Sequence, residues 1–279
     1  MPELPEVETI VRSLINPPDK ADFSIIGRRI KNVLVFWERT LANLPPGEFI
    51  SRVKRQSVQA VGRRGKFLVL TLSKDTMLIH LRMSGDLRME KNIGLSGAEI
   101  PPQKHDRLIL VFDEDVRLAF SNPRKFGRVW LVADPEEILR NLGPEPLEEG
   151  LDAGCFHDML GRHKRQLKPL IMDQHFLAGM GNIYTDEALF LAKLHPLKRS
   201  HMLTEAESDA LLNAIRTVLR EGIRRNGASI DWVFRGGDFQ NQFKVYGRAG
   251  DACLVCGTDI QRLIVGQRGT HICPNCQHM

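Results

Sequence analysis

The sequence has no apolar run approaching the ~18 residues that a membrane-crossing helix needs. It also lacks a secretory leader, which would begin basic and continue apolar. The chain instead opens MPELPEVETI, acidic and proline-bearing. Both absences point to a cytoplasmic protein with no membrane association. There is no internal repeat and no low-complexity tract. Cysteine is scarce and uneven: of five residues, only Cys155 lies outside the last 27 positions. Nothing therefore suggests a disulfide scaffold from an oxidising compartment. What remains is ordinary for a globular chain, with 42% hydrophobic and 26% charged residues, and 279 residues are enough for two or three units. The net charge of +5 points weakly to nucleic acid or another acidic partner. Two basic clusters, Arg52–Lys54–Arg55–Arg63–Arg64–Lys66 and Arg162–Lys164–Arg165–Lys168, are each either a phosphate contact or a solvated face.

The remaining four cysteines read Cys253-x2-Cys256, then sixteen residues, then Cys273-x2-Cys276. Two Cys-x2-Cys hairpins supply four thiolates to one tetrahedral zinc ion. With every position taken by cysteine, none is left for water, so the expected Zn2+ is structural and one per chain. Isolated Cys155 reads as a small buried hydrophobe.

Val7, Ile10, Val11 and Leu14 fall at helical spacing, with Pro5 in the first turn. Six β-rich runs follow, RIKNVLVFW, KFLVLTL, TMLIHLRM, RLILVFD, VRLAF and GRVWLV, separated by turn residues as in a sandwich or barrel. A Pro-, Gly- and acid-rich stretch then marks a boundary. The expected organisation is a β-rich domain over 1–133, a linker over 134–152, a helical domain over 153–244 and a zinc unit over 245–279. Within the helical part, LKPLIMDQHFLAGMGNIYTDEALFLAKLHP reads as helix, glycine turn and helix, stopped by Pro196. Thr204 and Glu207 form a capping box, ahead of an apolar face made by Leu211, Leu212, Ile215, Val218, Leu219 and Ile223.

The N-terminus carries chemistry. If Met1 is trimmed, Pro2 becomes a secondary amine with a pKa near ~8, which the positive end of the following helix would lower. A neutral amine can attack a sugar carbon and form an imine, and Glu3 beside it can donate or accept protons. The plain alternative is an unstructured chain end.

MPELPEVET, GRRGKFL, HLRMSG, QKHD, NPRKFG, GMGNIYTDEALF and the terminal cysteines occur in this order, and together they resemble the bacterial formamidopyrimidine-DNA glycosylases from end to end. The resemblance implies a multidomain α+β protein: an N-terminal β-sandwich with a leading α-helix, a helix-two-turn-helix domain with a lesion-capping loop, and a C-terminal β-hairpin zinc finger. It implies a bifunctional DNA glycosylase and AP lyase of base-excision repair. Such an enzyme excises oxidised purines such as 8-oxoguanine and formamidopyrimidines, then cuts the strand by β,δ-elimination. Its partner would be double-stranded DNA carrying oxidised bases or abasic sites. The protein would be a bacterial, cytoplasmic monomer, at the nucleoid when bound to DNA.

Residue by residue, the resemblance makes Pro2 the nucleophile and Glu3 its acid partner. Lys66 is linked to β-elimination, and Arg268, in GQRGTH, to δ-elimination and phosphate binding. Met83, Arg124 and Phe126 form the set that enters the duplex when the damaged nucleotide is extruded. His80, His105, Lys164, Lys168 and Asn182 become DNA contacts, and Glu6 an acid near the site. Several of these have plain readings too: Lys66 a solvated strand lysine, Asn182 a helix N-cap, the histidines satisfied structural residues, and Met83 and Phe126 core. Against that last reading, Ser84-Gly85 after Met83 looks like a turn. The sequence departs from the family at Asn122, where aspartate is commoner, at Lys125, where arginine is commoner, and around 227–243. An endonuclease VIII-like enzyme for oxidised pyrimidines and a non-catalytic damage-binding module are the alternatives. The LPE at residues 4 to 6 favours the purine enzyme, and the presence of Pro2 and Glu3 favours catalysis.

Overall fold

The computed structural model describes residues 1–16, 24–94, 98–229 and 236–279. These divide into two units. One comprises Met1, Pro2 and Glu6–Arg140. The other comprises Glu3–Pro5, Asn141–Ser229 and Gly236–Met279. The division after Arg140 falls inside the acidic, proline-rich stretch.

The first unit is a β-sandwich with a leading helix. Helix α1 (Leu4–Ile15) buries Val7, Ile10, Val11 and Leu14, the stripe that its spacing requires. The strands are β1 (Ile30–Val35), β2 (Val58–Arg64), β3 (Phe67–Leu72), β4 (Thr76–His80), β5 (Asp86–Lys91), β6 (Asp106–Phe112), β7 (Val116–Ser121) and β8 (Arg128–Val132), with a short helix α2 (Pro46–Val53) after β1. They form two antiparallel four-stranded sheets, ordered β1-β6-β7-β5 and β2-β3-β4-β8. One apolar core is shared by Val33 of β1, Leu108, Leu110 and Phe112 of β6, Leu118 and Phe120 of β7, Leu68 and Leu70 of β3 and Leu131 of β8. Burial alternates along β3, as one face against a core demands.

Three elements were not visible in the hydrophobic pattern. VQAVGRR (β2) and DLRMEK (β5) are poor in aromatic and β-branched residues; pairing with β3 and with β7 makes them strands. Helix α2 begins Pro45–Pro46, where a proline at the first helical position costs no hydrogen bond.

The second unit is helical with a terminal hairpin. A one-turn helix, α3 (Glu136–Leu139), precedes the division. Then come α4 (Ala153–Gly161), α5 (Leu167–Ile171), α6 (Asn182–Leu191) and α7 (Glu205–Arg224). Between α5 and α6 the turns of the helix-two-turn-helix are knitted by Gln174. Its Nε2 donates to the carbonyls of Met172 and Met180, both at 2.8 Å, and its Oε1 accepts from Gly179 N. Helix α6 stops before Pro196. Leu194 N donates to Leu189 O and Lys193 N to Phe190 O, with Lys193 at φ 57°, a Schellman stop. The capping box at Thr204 and Glu207 is formed as the spacing requires, and Leu211, Leu212, Ile215, Val218 and Leu219 are buried below it.

Strands β9 (Gln261–Val265) and β10 (Arg268–Ile272) make the terminal hairpin. Its two-residue turn has positive φ at both Gly266 and Gln267, the type I′ pattern that matches strand twist. Cys253, Ile260 and Cys273 share a small core with Phe190 and Val245. The expected lesion-capping region, around 227–243, lies partly outside the described residues.

Candidate active site and nucleic-acid interface

In the second unit, Glu3 is the centre. Only 2% of it is exposed. Its Oε1 accepts from Ile183 N at 3.0 Å and its Oε2 from Tyr184 N at 3.4 Å. The carboxylate thus occupies the N-terminus of α6, where free amides and the helix dipole both favour negative charge. Gly181 is the N-cap, and a Cβ there would lie 2.2 Å from the Glu3 carboxyl carbon. A side chain at 181 and the carboxylate exclude each other.

Asn182 is therefore not the N-cap that its position suggests. It is the first helical residue, and its Nδ2 donates to Gly269 O at 3.1 Å while its Oδ1 is buried without a protein partner. Lys168 also differs from expectation. It is fully buried, donating to Asp186 Oδ1 at 2.6 Å and to Gly269 O at 3.0 Å. Its ammonium has no open surface from which to reach a phosphate. Burial pushes it below the usual lysine range, against the pull of Asp186. Arg268, by contrast, is exposed at the head of β10, one residue from the carbonyl that Asn182 and Lys168 share.

Two acids that the motif reading passed over complete this arrangement. Asp186 Oδ2 accepts from His271 N at 2.9 Å. Glu187 accepts from Lys244 N, Val245 N and Tyr246 N at 2.8–3.0 Å. Burial raises the Glu187 carboxyl above its ordinary range, with the three amides opposing. The signal available in the sequence was one amide and two acids, Asn182, Asp186 and Glu187, within a helix whose other residues, Thr185 apart, suit burial. Lys164, expected at the DNA, is exposed, and its carbonyl accepts from Arg199.

The four terminal cysteines hold their Sγ atoms within 4.8 Å of one another. Tetrahedral zinc with Zn–S near ~2.3 Å would separate the sulfurs by about 3.8 Å. The observed 3.4 Å for Cys256–Cys273 and 4.0 Å for Cys253–Cys276 suit that ion and exceed the ~2.05 Å of a disulfide. Burial, then the neighbouring thiols, push Cys276 up to about 12. Burial likewise raises Cys273, whereas hydrogen bonds from Thr258 hold Cys256 down at about 5; a dication is what allows all four sulfurs to ionise together.

In the first unit, Pro2 is buried and Met1 is half exposed. Lys66 is the second residue of the two-residue turn joining β2 to β3. Gly65 has φ 56° there, and Lys66 is 5% exposed. That burial rules out the solvated-strand reading. In the basic cluster around it Arg52 pairs with Asp75 at 2.5 Å and Arg63 with Glu8 at 2.9 Å, while Lys54 and Arg55 are exposed. In the other cluster Arg165 pairs with Asp173 at 2.7 Å. His80 is buried at the end of β4. Burial, then the charges of Arg82 and Lys66, push it down to about 3. It is a neutral imidazole whose Nδ1 accepts from Arg82 N at 3.0 Å, which leaves the proton on Nε2.

Met83 and Phe126 are not core: they are 43% and 54% exposed. The Met83 turn and the loop from Asn122 to Gly127 lie side by side. Arg124 Nη1 is 3.8 Å from Met83 Sδ, and Arg124 N donates to Ser84 Oγ at 3.2 Å. His105 adjoins them, its carbonyl accepting from Asn122 N. An exposed thioether, ring and guanidinium on one rim can fill a gap in a base stack and hydrogen-bond a base edge. Cys155 is exposed, contrary to the expected buried hydrophobe, because it lies off the face of α4 that Phe156 and Leu160 bury.

Three family models match in chain order. The formamidopyrimidine-DNA glycosylase N-terminal domain spans residues 1–129, the formamidopyrimidine-DNA glycosylase H2TH domain 142–233, and the zinc finger found in FPG and IleRS 250–278. The formamidopyrimidine-DNA glycosylase of Protochlamydia amoebophila is 40% identical over 286 residues, covering 99% of each chain. That of Herpetosiphon aurantiacus is 38% identical, covering 99% of this chain and all of the other. The Lactococcus lactis protein in complex with FAPY-dG-containing DNA has a TM-score of 0.88 at 34% identity, covering 99% of this chain and 100% of that one.

Proposed function

The chain belongs to the formamidopyrimidine-DNA glycosylase family, and from that premise we propose how its own residues carry out the reaction. The protein is a base-excision-repair DNA glycosylase and AP lyase that acts on duplex DNA carrying oxidised bases or abasic sites. A structural zinc ion holds its terminal hairpin. Among the described residues no helix is long and apolar enough to cross a membrane. A genome-repair role puts the working protein in the cytoplasm, at the nucleoid when bound.

The nucleophile is Pro2. With Met1 in place its nitrogen is an amide, so removal of Met1 is the first requirement. The free amine attacks C1′ of the damaged nucleotide, the glycosidic bond breaks, and the base leaves. Glu3, next in the chain and held on the α6 amides, accepts the amine's proton and returns one to the opening sugar. The resulting imine acidifies C2′, so loss of that proton expels the 3′ phosphate, and a second elimination expels the 5′ phosphate. Lys66 serves the first elimination. Arg268 and Asn182 hold phosphate, which carries no sequence information. Met83, Arg124 and Phe126 occupy the space vacated by extrusion.

The observation that carries this reading is Glu3 itself: a buried carboxylate directly after Pro2, seated on a helix start that only glycine at 181 leaves room for. The test is borohydride trapping on a duplex with one 8-oxoguanine, followed by peptide mapping of the adduct. The adduct is expected on Pro2 and absent when Met1 is retained. Trapping on a lysine instead would overturn the assignment.

A further inference from the structure

Asn122 is 1% exposed and uses both ends of its side chain. Its Oδ1 accepts from Phe126 N at 3.1 Å, which closes the loop that carries Arg124 and Phe126. Its Nδ2 donates to Leu81 O at 3.3 Å, at the entrance to the Met83 turn. Its backbone reaches further: N donates to His105 O at 2.8 Å, and O accepts from Arg107 Nε at 2.9 Å. The orientation of the amide follows from its partners, since a flip would set donor against donor and acceptor against acceptor. The fit leaves no slack. A Cβ on Gly127 would lie 2.4 Å from Asn122 Nδ2 and 2.4 Å from the Phe120 ring. A second tie joins the same two loops, from Arg124 N to Ser84 Oγ, and Ser84 is 3% exposed.

Met83, Arg124 and Phe126 project from turns and are all exposed, with Met83 and Arg124 touching mainly each other across the rim. Their relative placement must come from beneath. Filling a gap and hydrogen-bonding the base left opposite it are useful only if they happen together. We propose that Asn122 is the positioning residue that couples the Met83 turn to the Arg124–Phe126 loop, so that both enter the duplex as one body. The inference rests on the reading of these three residues as the inserted set. Aspartate in its place would keep the acceptor for Phe126 N and lose the donor to Leu81 O. This chain therefore holds the Met83 turn by a bond that a carboxylate cannot make.

The experiment uses the full-length zinc-loaded protein and a duplex with 2-aminopurine beside a single 8-oxoguanine. Stopped-flow fluorescence reads extrusion, and single-turnover excision opposite C, T, G and A reads the opposite-base ranking. Asn122→Asp is expected to slow extrusion about tenfold, the worth of one buried hydrogen bond, with the ranking unchanged. Asn122→Ala loses both bonds, so extrusion slows and the ranking flattens. Restoration of the ranking, but not of the rate, on passing from alanine to aspartate is a signature that general destabilisation does not produce. Ser84→Ala, which leaves residue 122 intact, is expected to slow extrusion as well. Wild-type extrusion rates in both Asn122→Asp and Ser84→Ala would overturn the coupling. Met83→Ala, measured alongside, separates the two readings: if it leaves extrusion unchanged, the inserted set itself is wrong, whereas slow Met83→Ala with normal Asn122→Asp and Ser84→Ala sinks the coupling alone.

Discussion

A carboxylate with 2% exposure is stable in an interior only when its charge is answered, and Glu3 is answered by the first free amides of α6. Gly181→Ala should therefore act on Glu3 without changing any reacting group, by driving a methyl into the carboxylate. We expect single-turnover excision of 8-oxoguanine to fall by about 10²-fold or more, the scale of a lost acid–base group, while zinc content is kept. His80 offers a second test at this scale. In the folded chain it sits near 3, far below the ~6.5 of an unfolded histidine. Below pH ~6.5 the unfolded chain binds a proton that the folded chain refuses. The neutral imidazole's contribution is thus complete above that pH and is lost as pH falls from 6.5 towards 3. The slope is at most about 1.4 kcal/mol per pH unit. His80→Gln keeps an acceptor for Arg82 N and removes the titration. Urea unfolding at pH 7, 6 and 5 should show a shallower loss of stability in the variant than in the parent.

Helix α6 shows how one element gathers chemistry from distant parts of the chain. Asn182 and Asp186 are one turn apart and share a face, and both reach β10: Asn182 to Gly269 O, Asp186 to His271 N. Glu187 fastens the segment entering the zinc hairpin. The same helix start holds Glu3, so the acid and the hairpin bearing Arg268 are registered against a single rigid rod. Lys168 and Asp186 form the buried ion pair in this arrangement, both side chains fully inaccessible. Removing one partner strands the other, at a cost of about 3–5 kcal/mol. Asp186→Leu alone should lose stability on that scale by urea unfolding, whereas Lys168→Met with Asp186→Leu should lose clearly less. Additive losses in the double variant would mean that the two residues are not coupled.

For the whole molecule, the terminal cysteines and the basic balance make separable statements. Without the ion, four crowded thiols have no shared counter-charge, and the hairpin that presents Arg268 loses its support. Chelation, or Cys276→Ser, is expected to release one zinc per chain and to abolish duplex binding, as read by metal analysis and fluorescence anisotropy. Arg268→Ala should keep the zinc and weaken lesion-bearing and undamaged duplexes alike. It should also reduce the slope of log K against log salt by about one. A slope unchanged from the parent would remove Arg268 from the phosphate contacts.

What the sequence determined by itself was whatever depends on short covalent spacing. The Cys-x2-Cys pairs, the Thr204–Glu207 box, the stripe of α1 and the alternation of β3 are each patterns of residues a few positions apart, where local geometry leaves little choice. The ordered motifs were likewise sufficient to reveal the family. Tertiary structure decided the rest, because the deciding partners lie far off along the chain. Glu3 meets its amides 180 positions away, Glu187 meets its amides 57–59 away, and Asn122 meets Leu81 across 41. Lys168 reads as one more member of a basic cluster until the fold closes Asp186 and Gly269 over it. VQAVGRR and DLRMEK become strands only because β3 and β7 offer an edge to pair with. A side chain's type declares which bonds it can make; only packing decides whether its partner is water, backbone or a distant charge.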